Sequence, residues 1–185
     1  TPAGEIGRSI FVYNPATKAW NYFDKEGNRV TGRQYIDGHL YYFKEDGSQA
    51  KGEIIEENGI KYYYEPESGI LASGRYLQVG DDQWMYFKQD GSLAIGQVRA
   101  DHGYLKYFDK NGIQVKGKTV VEDGKTYYYD AHSGALVTSS FAEIAPNQWS
   151  YFNTDGQALK GKWTINGKEY YFDENGIQYK GKAVK

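Results

Sequence analysis

The chain repeats a short glycine-containing pattern about every 21 residues, and this period limits the folds that it can adopt. Consecutive copies are 20 to 22 residues apart. The first glycines of the eight copies are Gly27, Gly47, Gly69, Gly91, Gly112, Gly134, Gly156 and Gly176. A repeat of this length predicts a quasi-linear array in which each unit packs mainly on its neighbours.

The last copy predicts the structure of a single unit. Residues 162–165 and 168–172 have the composition of strands, and the Asn166-Gly167 pair between them favours positive φ at both central positions of a tight turn. Residues 173–176 then turn the chain again before a short final segment. Each unit is therefore predicted to be a β-hairpin followed by a short extended segment.

Two further features recur in every unit. A second glycine lies five residues after the first in seven of the copies, and Ser139 replaces it in the sixth. An aromatic pair precedes each turn: Tyr22-Phe23, Tyr42-Phe43, Tyr63-Tyr64, Tyr86-Phe87, Tyr107-Phe108, Tyr128-Tyr129, Tyr151-Phe152 and Tyr171-Phe172. A two-stranded hairpin cannot bury such rings alone, so the hairpins must stack.

These patterns predict an all-β fold, a β-solenoid of stacked hairpins with little or no helix, because no stretch shows a sustained apolar period of 3.6. We expect residues 1–185 to form one array, with eight units over residues 20–181. Residues 1–12 are predicted to be a connecting segment, although residues 9–13 have the pattern of a strand. The Phe of each aromatic pair is expected in the core.

The hairpins group into larger modules. Trp-x-Tyr-Phe occurs in every third hairpin, at Trp20, Trp84 and Trp149, and a three-tyrosine run recurs at the same interval, at residues 62–64 and 127–129. A three-hairpin module of about 65 residues has thus been repeated, giving two full modules and two thirds of another.

Composition excludes several functions. The net charge of −2, without a Lys/Arg cluster, argues against nucleic acid and anionic membranes as partners, and no apolar run is long enough to span a bilayer. The chain has no cysteine, which excludes disulfides and Cys-ligated zinc and is compatible with secretion. We expect export signals to lie elsewhere in a longer polypeptide, of which this chain is a fragment.

The sequence also argues against an enzyme, a metal site or a cofactor. Asp and Glu lie mainly in turns such as residues 24–27, where bonds from the side chain to the backbone explain them. No unique carboxylate pair breaks the repeat pattern, as a glycosidase would need. His39, His102 and His132 lie in different units and are predicted to face solvent.

The repeated hairpin, aromatic pair and glycines resemble the cell-wall-binding or glucan-binding repeat family, and the resemblance covers roughly residues 20–181. The resemblance implies an extracellular, non-catalytic binding module. The choline-binding members use a Gly-Trp opening at the second glycine, whereas this chain has Gly32-Arg33 and Gly52-Glu53, with Gly161-Lys162-Trp163 as the nearest approach. The chain therefore resembles more closely the C-terminal glucan-binding domain of streptococcal glucansucrases.

That resemblance implies an α-glucan partner (dextran or isomalto-oligosaccharides), a covalently linked catalytic domain and a secreted or cell-surface location. The alternatives are a choline-binding or cell-wall-binding module, and an adhesin-type attachment module that only displays another domain.

Candidate sugar-binding residues come from two neighbouring hairpins of each module. The middle hairpin alone carries Gln-x-Lys after its turn, and both side chains can hydrogen-bond sugar hydroxyls. The Trp-x-Tyr hairpin before it would supply an aromatic surface for the apolar ring face. The predicted sites are Trp20, Tyr22, Gln49 and Lys51; Trp84, Tyr86, Gln114 and Lys116; and Trp149, Tyr151, Gln178 and Lys180. Alternatively, Gln-x-Lys merely suits an exposed edge and was copied when the module duplicated.

Overall fold

The computed structural model describes residues 7–180, and these residues form consecutive β-hairpins. Within them the only helical element is a 3-10 turn at Asp101–Gly103. The strands are β1 (Ile10–Asn14), β2 (Ala19–Phe23), β3 (Gly32–Ile36), β4 (His39–Phe43), β5 (Glu53–Glu57), β6 (Ile60–Tyr64), β7 (Arg75–Gly80), β8 (Gln83–Phe87), β9 (Gly96–Arg99), β10 (Leu105–Phe108), β11 (Lys118–Glu122), β12 (Lys125–Tyr129), β13 (Ser140–Ala145), β14 (Gln148–Phe152), β15 (Gly161–Ile165) and β16 (Lys168–Phe172). The predicted all-β fold of serial hairpins is confirmed.

The first strand begins inside the predicted connecting segment. Residues 10–12 of the predicted connecting segment belong to β1, because Ile10 and Phe11 pair with the aromatic end of β2. Residues 1–6 and the last second glycine, Gly181, lie outside the described residues. No helix in residues 7–180 has the length and apolar character needed to cross a membrane.

The tight turns have the positive φ angles that the sequence predicts. Ile165 pairs with Lys168 across the Asn166-Gly167 turn, whose φ angles are 49° and 78°. Turn carboxylates accept backbone hydrogen bonds as predicted, for example Asp173 Oδ1 from the N–H of Ile177 at 2.8 Å. Local side-chain chemistry therefore accounts for the acidic residues in these turns.

The chain divides into two compact units. One comprises Thr1–Leu77 and Tyr86–Leu93, and the other comprises Gln78–Met85 and Ala94–Lys185. The first contains hairpins β1–β2, β3–β4 and β5–β6, and the second contains β9–β10, β11–β12, β13–β14 and β15–β16. The residues of hairpin β7–β8 are divided between the two units.

A backbone hydrogen bond links each hairpin to the one before it. We call residues 49–51, 71–73, 93–95, 114–116, 136–138, 158–160 and 178–180 the post-turn segments. The first residue of each segment donates its N–H to a carbonyl in the second strand of the preceding hairpin, at 2.7 to 2.9 Å: Gln49 to Trp20, Leu71 to Leu40, Leu93 to Lys61, Gln114 to Trp84, Leu136 to Leu105, Ala158 to Thr126 and Gln178 to Trp149. All seven bonds use the same register, so successive hairpins pack in the same way.

The second ring of each aromatic pair forms the core. Seven of these rings are at most 1% exposed: Phe43, Tyr64, Phe87, Phe108, Tyr129, Phe152 and Phe172. Where the ring contacts are described, the buried ring packs against the first ring of the preceding pair, as in Tyr42 with Tyr64 at 5.8 Å and Tyr128 with Phe152 at 6.0 Å. The expectation that the Phe positions are core is confirmed for these hairpins, whereas Phe23 of the first pair is only half-buried.

Glutamine side chains fill the space beneath two of the turns. Gln49 is 8% exposed and its amide donates to the carbonyl oxygen of Ser68, beside Gly69. Gln114 is 9% exposed, and a Cβ atom added at Gly134 would overlap its Nε2. Glycine is therefore required at this turn for space as well as for its φ of 70°.

Replacing Phe108 with Ala should lower the free energy of unfolding by about 3 to 5 kcal/mol, because the ring is fully buried. The control is Tyr104→Ala, which removes a side chain that is 59% exposed and should change stability by less than about 0.5 kcal/mol. Urea denaturation followed by circular dichroism measures both. Equal losses for the two variants would contradict this description of the core.

Replacing Gly134 with Ala should destabilise the chain more than replacing Gly124 with Ala. Both glycines have a positive φ, 70° and 73°, but a Cβ atom at Gly124 meets nothing within 4 Å. Gly124→Ala should cost about 1 to 2 kcal/mol for the left-handed backbone. Gly134→Ala should add about 1 to 3 kcal/mol of overpacking against Gln114.

The double variant Gly134→Ala with Gln114→Ala tests the cause of that difference. Removing the glutamine side chain should restore part of the lost stability, as a coupling energy in a double-mutant cycle. Strictly additive losses would show that the Gln114 amide does not set the requirement for glycine.

Candidate functional site: repeated tryptophan clefts

The tryptophan of each Trp-x-Tyr-Phe hairpin lies three residues before the buried Phe, at the position whose carbonyl accepts the bond between repeats. Trp20 is 39% exposed, and Trp84 and Trp149 are half-buried. A two-residue period places the Trp on the face opposite the Phe. The indole therefore lies at the surface, beside the post-turn segment of the next hairpin.

The bond between repeats brings Gln-x-Lys to this tryptophan. In all three modules the N–H of the Gln donates to the Trp carbonyl, at 2.7 Å for Gln49, 2.8 Å for Gln114 and 2.7 Å for Gln178. The Lys lies two residues later, on the same face of the extended segment. Backbone pairing thus places each Gln-x-Lys segment next to a tryptophan residue.

The lysine ammonium groups lie over the indole rings in two modules. Lys51 Nζ is 5.8 Å from the ring centroid of Trp20, and Lys180 Nζ is 4.9 Å from that of Trp149. These distances are within the range of cation–π attraction. Lys51 Nζ also donates to the carbonyl oxygen of Glu67 in the following hairpin at 2.9 Å, which holds it in place.

In the central module the corresponding residues line an open cleft of about 580 Å³. Trp84, Gln114 and Lys116 all contribute to it, from two successive hairpins. Its other lining residues are Asp82, Gln83, Asp109, Ile113, Val115, Lys118, Ala131 and His132. Three consecutive hairpins therefore build this cleft, and it combines one aromatic face with charged and amide groups.

The predicted tyrosines lie in a different environment. Tyr22 packs edge-on against Phe11 at 4.9 Å, and Tyr151 packs in the same way against Phe141. Tyr86 is only 4% exposed and contacts Tyr76 at 4.7 Å. Each of these tyrosine rings packs against a ring on the partner strand of its own hairpin. The accessible aromatic surface beside Gln-x-Lys therefore comes from the tryptophans.

The predicted glutamines also face inwards. Gln49 and Gln114 lie under the turns of the next hairpin, and Gln178 is half-buried. Gln114 Nε2 is buried and has no hydrogen-bond partner among the described residues. The glutamine therefore supports the floor of the cleft, while the lysine and tryptophan form its rim.

His132 is a cleft residue that sequence reasoning missed. It is exposed, as predicted, but it belongs to the third hairpin of the cleft and lies where the preceding module has Glu67. Its backbone N–H donates to Asp130, and hydrogen bonds from the backbone and hydroxyl of Ser133 help to hold the pKa of the Asp130 carboxyl below its usual value. An alignment of the two three-tyrosine hairpins, residues 62–69 and 127–134, pairs His132 with Glu67. The carbonyl of Glu67 accepts from Lys51, so this alignment could have indicated that His132 lies near the cleft.

A second cleft in the same compact unit has this register but no aromatic face. Ala158 of its post-turn segment donates to the carbonyl of Thr126, which takes the position of Trp84. Lys160, Thr126, Glu174 and Asn175 are among the residues that line this space of about 370 Å³. The same backbone register therefore forms a cleft with or without a tryptophan, and Trp84 distinguishes the cleft of the Gln114-x-Lys116 hairpin.

No group of three or more His, Asp or Glu side chains in residues 7–180 is arranged to hold a metal ion. The clefts instead offer an aromatic face, ammonium groups and backbone carbonyls, which are groups suited to reversible binding.

The sequence matches two family models. The choline-binding repeat matches residues 15–46, 30–76 and 101–141, and the putative cell wall binding repeat matches residues 140–158 and 164–177. These matches cover more than half of the chain and confirm the resemblance identified from the repeated glycines and aromatic pairs.

Curated relatives include streptococcal glucosyltransferases. Glucosyltransferase-S of Streptococcus mutans is 39% identical over 89% of this chain, and glucosyltransferase-I of Streptococcus downei is 39% identical over 90%. The chain spans only 11% and 10% of the lengths of these two relatives.

Solved structures of Streptococcus pneumoniae proteins share the fold. CbpJ is 25% identical with a TM-score of 0.74, covering 87% of this chain and 56% of that chain. Choline binding protein F, solved in the presence of a peptidoglycan analogue, is 29% identical with a TM-score of 0.72, covering 89% and 57%. The chain belongs to the family of choline-binding and cell-wall-binding repeats, and it is a binding domain, not a catalytic one.

Proposed function

We propose that this chain is a non-catalytic module that binds α-glucan, a dextran-like polymer, as part of a secreted glucosyltransferase. The observation that carries the proposal is the threefold recurrence of a surface tryptophan beside Gln-x-Lys, in one register fixed by a backbone hydrogen bond. A neutral duplication could also copy these residues. The cation–π contacts at Trp20 and Trp149 and the cleft at Trp84 support the interpretation as a repeated site.

The chemistry of the clefts suits a glucose unit. A pyranose ring has an apolar face of C–H groups, which can lie on an indole, and a rim of hydroxyls, which can bond to the Lys ammonium and to nearby carboxylates. In the central cleft, Trp84 would take the ring face and Lys116 the hydroxyls, while Gln114 would support the floor. Trp20 with Lys51 would form an equivalent site, and Trp149 with Lys180 would form one from the walls of two hairpins.

The relatives support the wider context of the proposal. A similar segment makes up about a tenth of the length of these glucosyltransferases, so a covalently linked catalytic domain is proposed here too. Binding the polymer would then keep that domain close to glucan outside the cell. No metal, cofactor or covalent step is needed for such binding.

Choline or cell-wall attachment is the second candidate, because the solved structures of similar fold include choline binding protein F. Affinity electrophoresis in gels that contain dextran separates the candidates. A glucan-binding module should be retarded, whereas a choline-binding module or an adhesin-type spacer should migrate as it does without dextran.

Replacing Trp84 with Ala should remove one sugar site, because the residue supplies the aromatic face of the central cleft. Isothermal titration with isomaltotriose should show one site fewer than in the unaltered chain, with an unchanged circular dichroism spectrum. The matched control is Trp163→Ala, since Trp163 is 47% exposed but does not line this cleft. An unchanged number of sites in Trp84→Ala would reject the proposed location.

Long dextran should bind far more tightly than isomaltotriose. A shallow sugar site of about millimolar affinity contributes only about −4 kcal/mol, but a polymer that engages several clefts of one chain gains on the order of 10² to 10⁴ in affinity. The two ligands should be compared by titration per chain. Equal affinities would indicate one working site and would contradict the use of repeated clefts.

A further inference from the structure

The cleft lysines lie where a cationic ligand would need to bind. A quaternary ammonium group is recognised by the face of an aromatic ring, and indole is the strongest such ring. In the first module that position above Trp20 is occupied by Lys51 Nζ, and in the third the face of Trp149 is occupied by Lys180 Nζ. The chain thus places its own ammonium group on the surface that an external cation would use.

The position of this ammonium group is determined by the backbone. The bond from Gln49 to Trp20 sets the register of the post-turn segment, and the carbonyl of Glu67 accepts from Lys51 Nζ on the far side. A second cation on the same ring would have to approach this positive charge and displace it, and like charges at contact distance repel. A neutral ring with hydroxyl groups meets no such repulsion and gains hydrogen-bond donors.

We infer that Lys51 and Lys180 are specificity-determining residues that exclude quaternary ammonium ligands from the tryptophan surfaces and leave them open to neutral sugars. Lys116 is assigned the same role because it has the same register and lines one cleft with Trp84. This inference rests on the proposed function for the choice of sugar as the ligand that is admitted. The exclusion itself depends only on the lysine and tryptophan geometry. It gives a physical reason why a chain built from choline-binding repeats can have a different ligand.

The test uses tetramethylammonium chloride as the probe, at constant ionic strength, on the whole chain. The central variant carries Lys51→Met, Lys116→Met and Lys180→Met, which keep an apolar side chain of similar length and remove the charge. Lys160→Met is the matched control, because its post-turn segment has the same register but bonds to Thr126 where the other three bond to a tryptophan. The Trp163 indole N–H donates to the Lys160 carbonyl, so this control is read at Trp20, Trp84 and Trp149 only. The readout is the indole N–H resonances of the four tryptophans in ¹H–¹⁵N spectra.

In the triple Met variant the resonances of Trp20, Trp84 and Trp149 should shift saturably, with a dissociation constant at least about tenfold lower than in the unaltered chain. The Trp163 resonance should not move, and Lys160→Met should behave like the unaltered chain. Equally tight binding of tetramethylammonium by the unaltered chain and the triple variant would overturn the inference.

Two single variants at Lys180 test the inference independently of the triple variant. Lys180→Met alone changes one exposed residue, so the Trp149 resonance tests the same idea if the triple variant does not fold. Lys180→Glu places a carboxylate at that position and should strengthen binding further. If neither single variant gains affinity for tetramethylammonium, the lysine does not act as the excluding group.

A parallel titration of the unaltered chain with isomaltotriose separates this inference from the proposed function. Absence of sugar binding, together with a gain of tetramethylammonium binding in the Met variants, would reject the α-glucan proposal and retain the exclusion of cations. Sugar binding by the unaltered chain, without a gain of tetramethylammonium binding in the Met variants, would retain the α-glucan proposal and reject the exclusion of cations.

Discussion

The structure depends on one kind of backbone hydrogen bond, which recurs between successive hairpins. A two-stranded hairpin leaves polar groups and one aromatic face unsatisfied, and neither can be buried within a single repeat. The post-turn segment meets both needs, because Gln49, for example, bridges to Phe43 of its own hairpin and donates to Trp20 of the preceding one. Since this bond has one register throughout, the burial of the rings and the formation of the clefts recur together.

The same bond connects stability with the candidate function. It brings Lys51 over Trp20 in one compact unit and Lys180 over Trp149 in the other. Gln114 belongs to both roles, because its backbone fixes the register while its side chain fills the space under Gly134. A replacement at Gln114 would therefore change the packing of the floor as well as any contact with a ligand.

Much of this arrangement could be predicted from the sequence, because the relevant signals are local or strictly periodic. The Asn166-Gly167 turn, the eight aromatic pairs and the pairing of Trp with Gln-x-Lys all follow from spacing. The inward direction of Gln49, the packing of Tyr22 on Phe11 and the place of His132 in a cleft wall did not. The Gln49 and His132 positions depend on the rotation of one hairpin against the next, which a period of two does not specify. The Tyr22–Phe11 contact depends on the first strand, Ile10–Asn14, whose pairing with β2 brings Phe11 opposite Tyr22.

The central cleft draws its walls from three consecutive hairpins, and this has a consequence for how such chains change length. A duplication of one complete module adds a Trp hairpin, a Gln-x-Lys hairpin and a third wall, and so adds a complete cleft. Loss of a single hairpin would still permit the backbone bond between repeats, but a Lys segment could then face a residue other than tryptophan. The cleft in which Thr126 lies beside Lys160 illustrates such a combination. Recombination in whole modules would thus alter valency without altering ligand preference, whereas other steps would alter both.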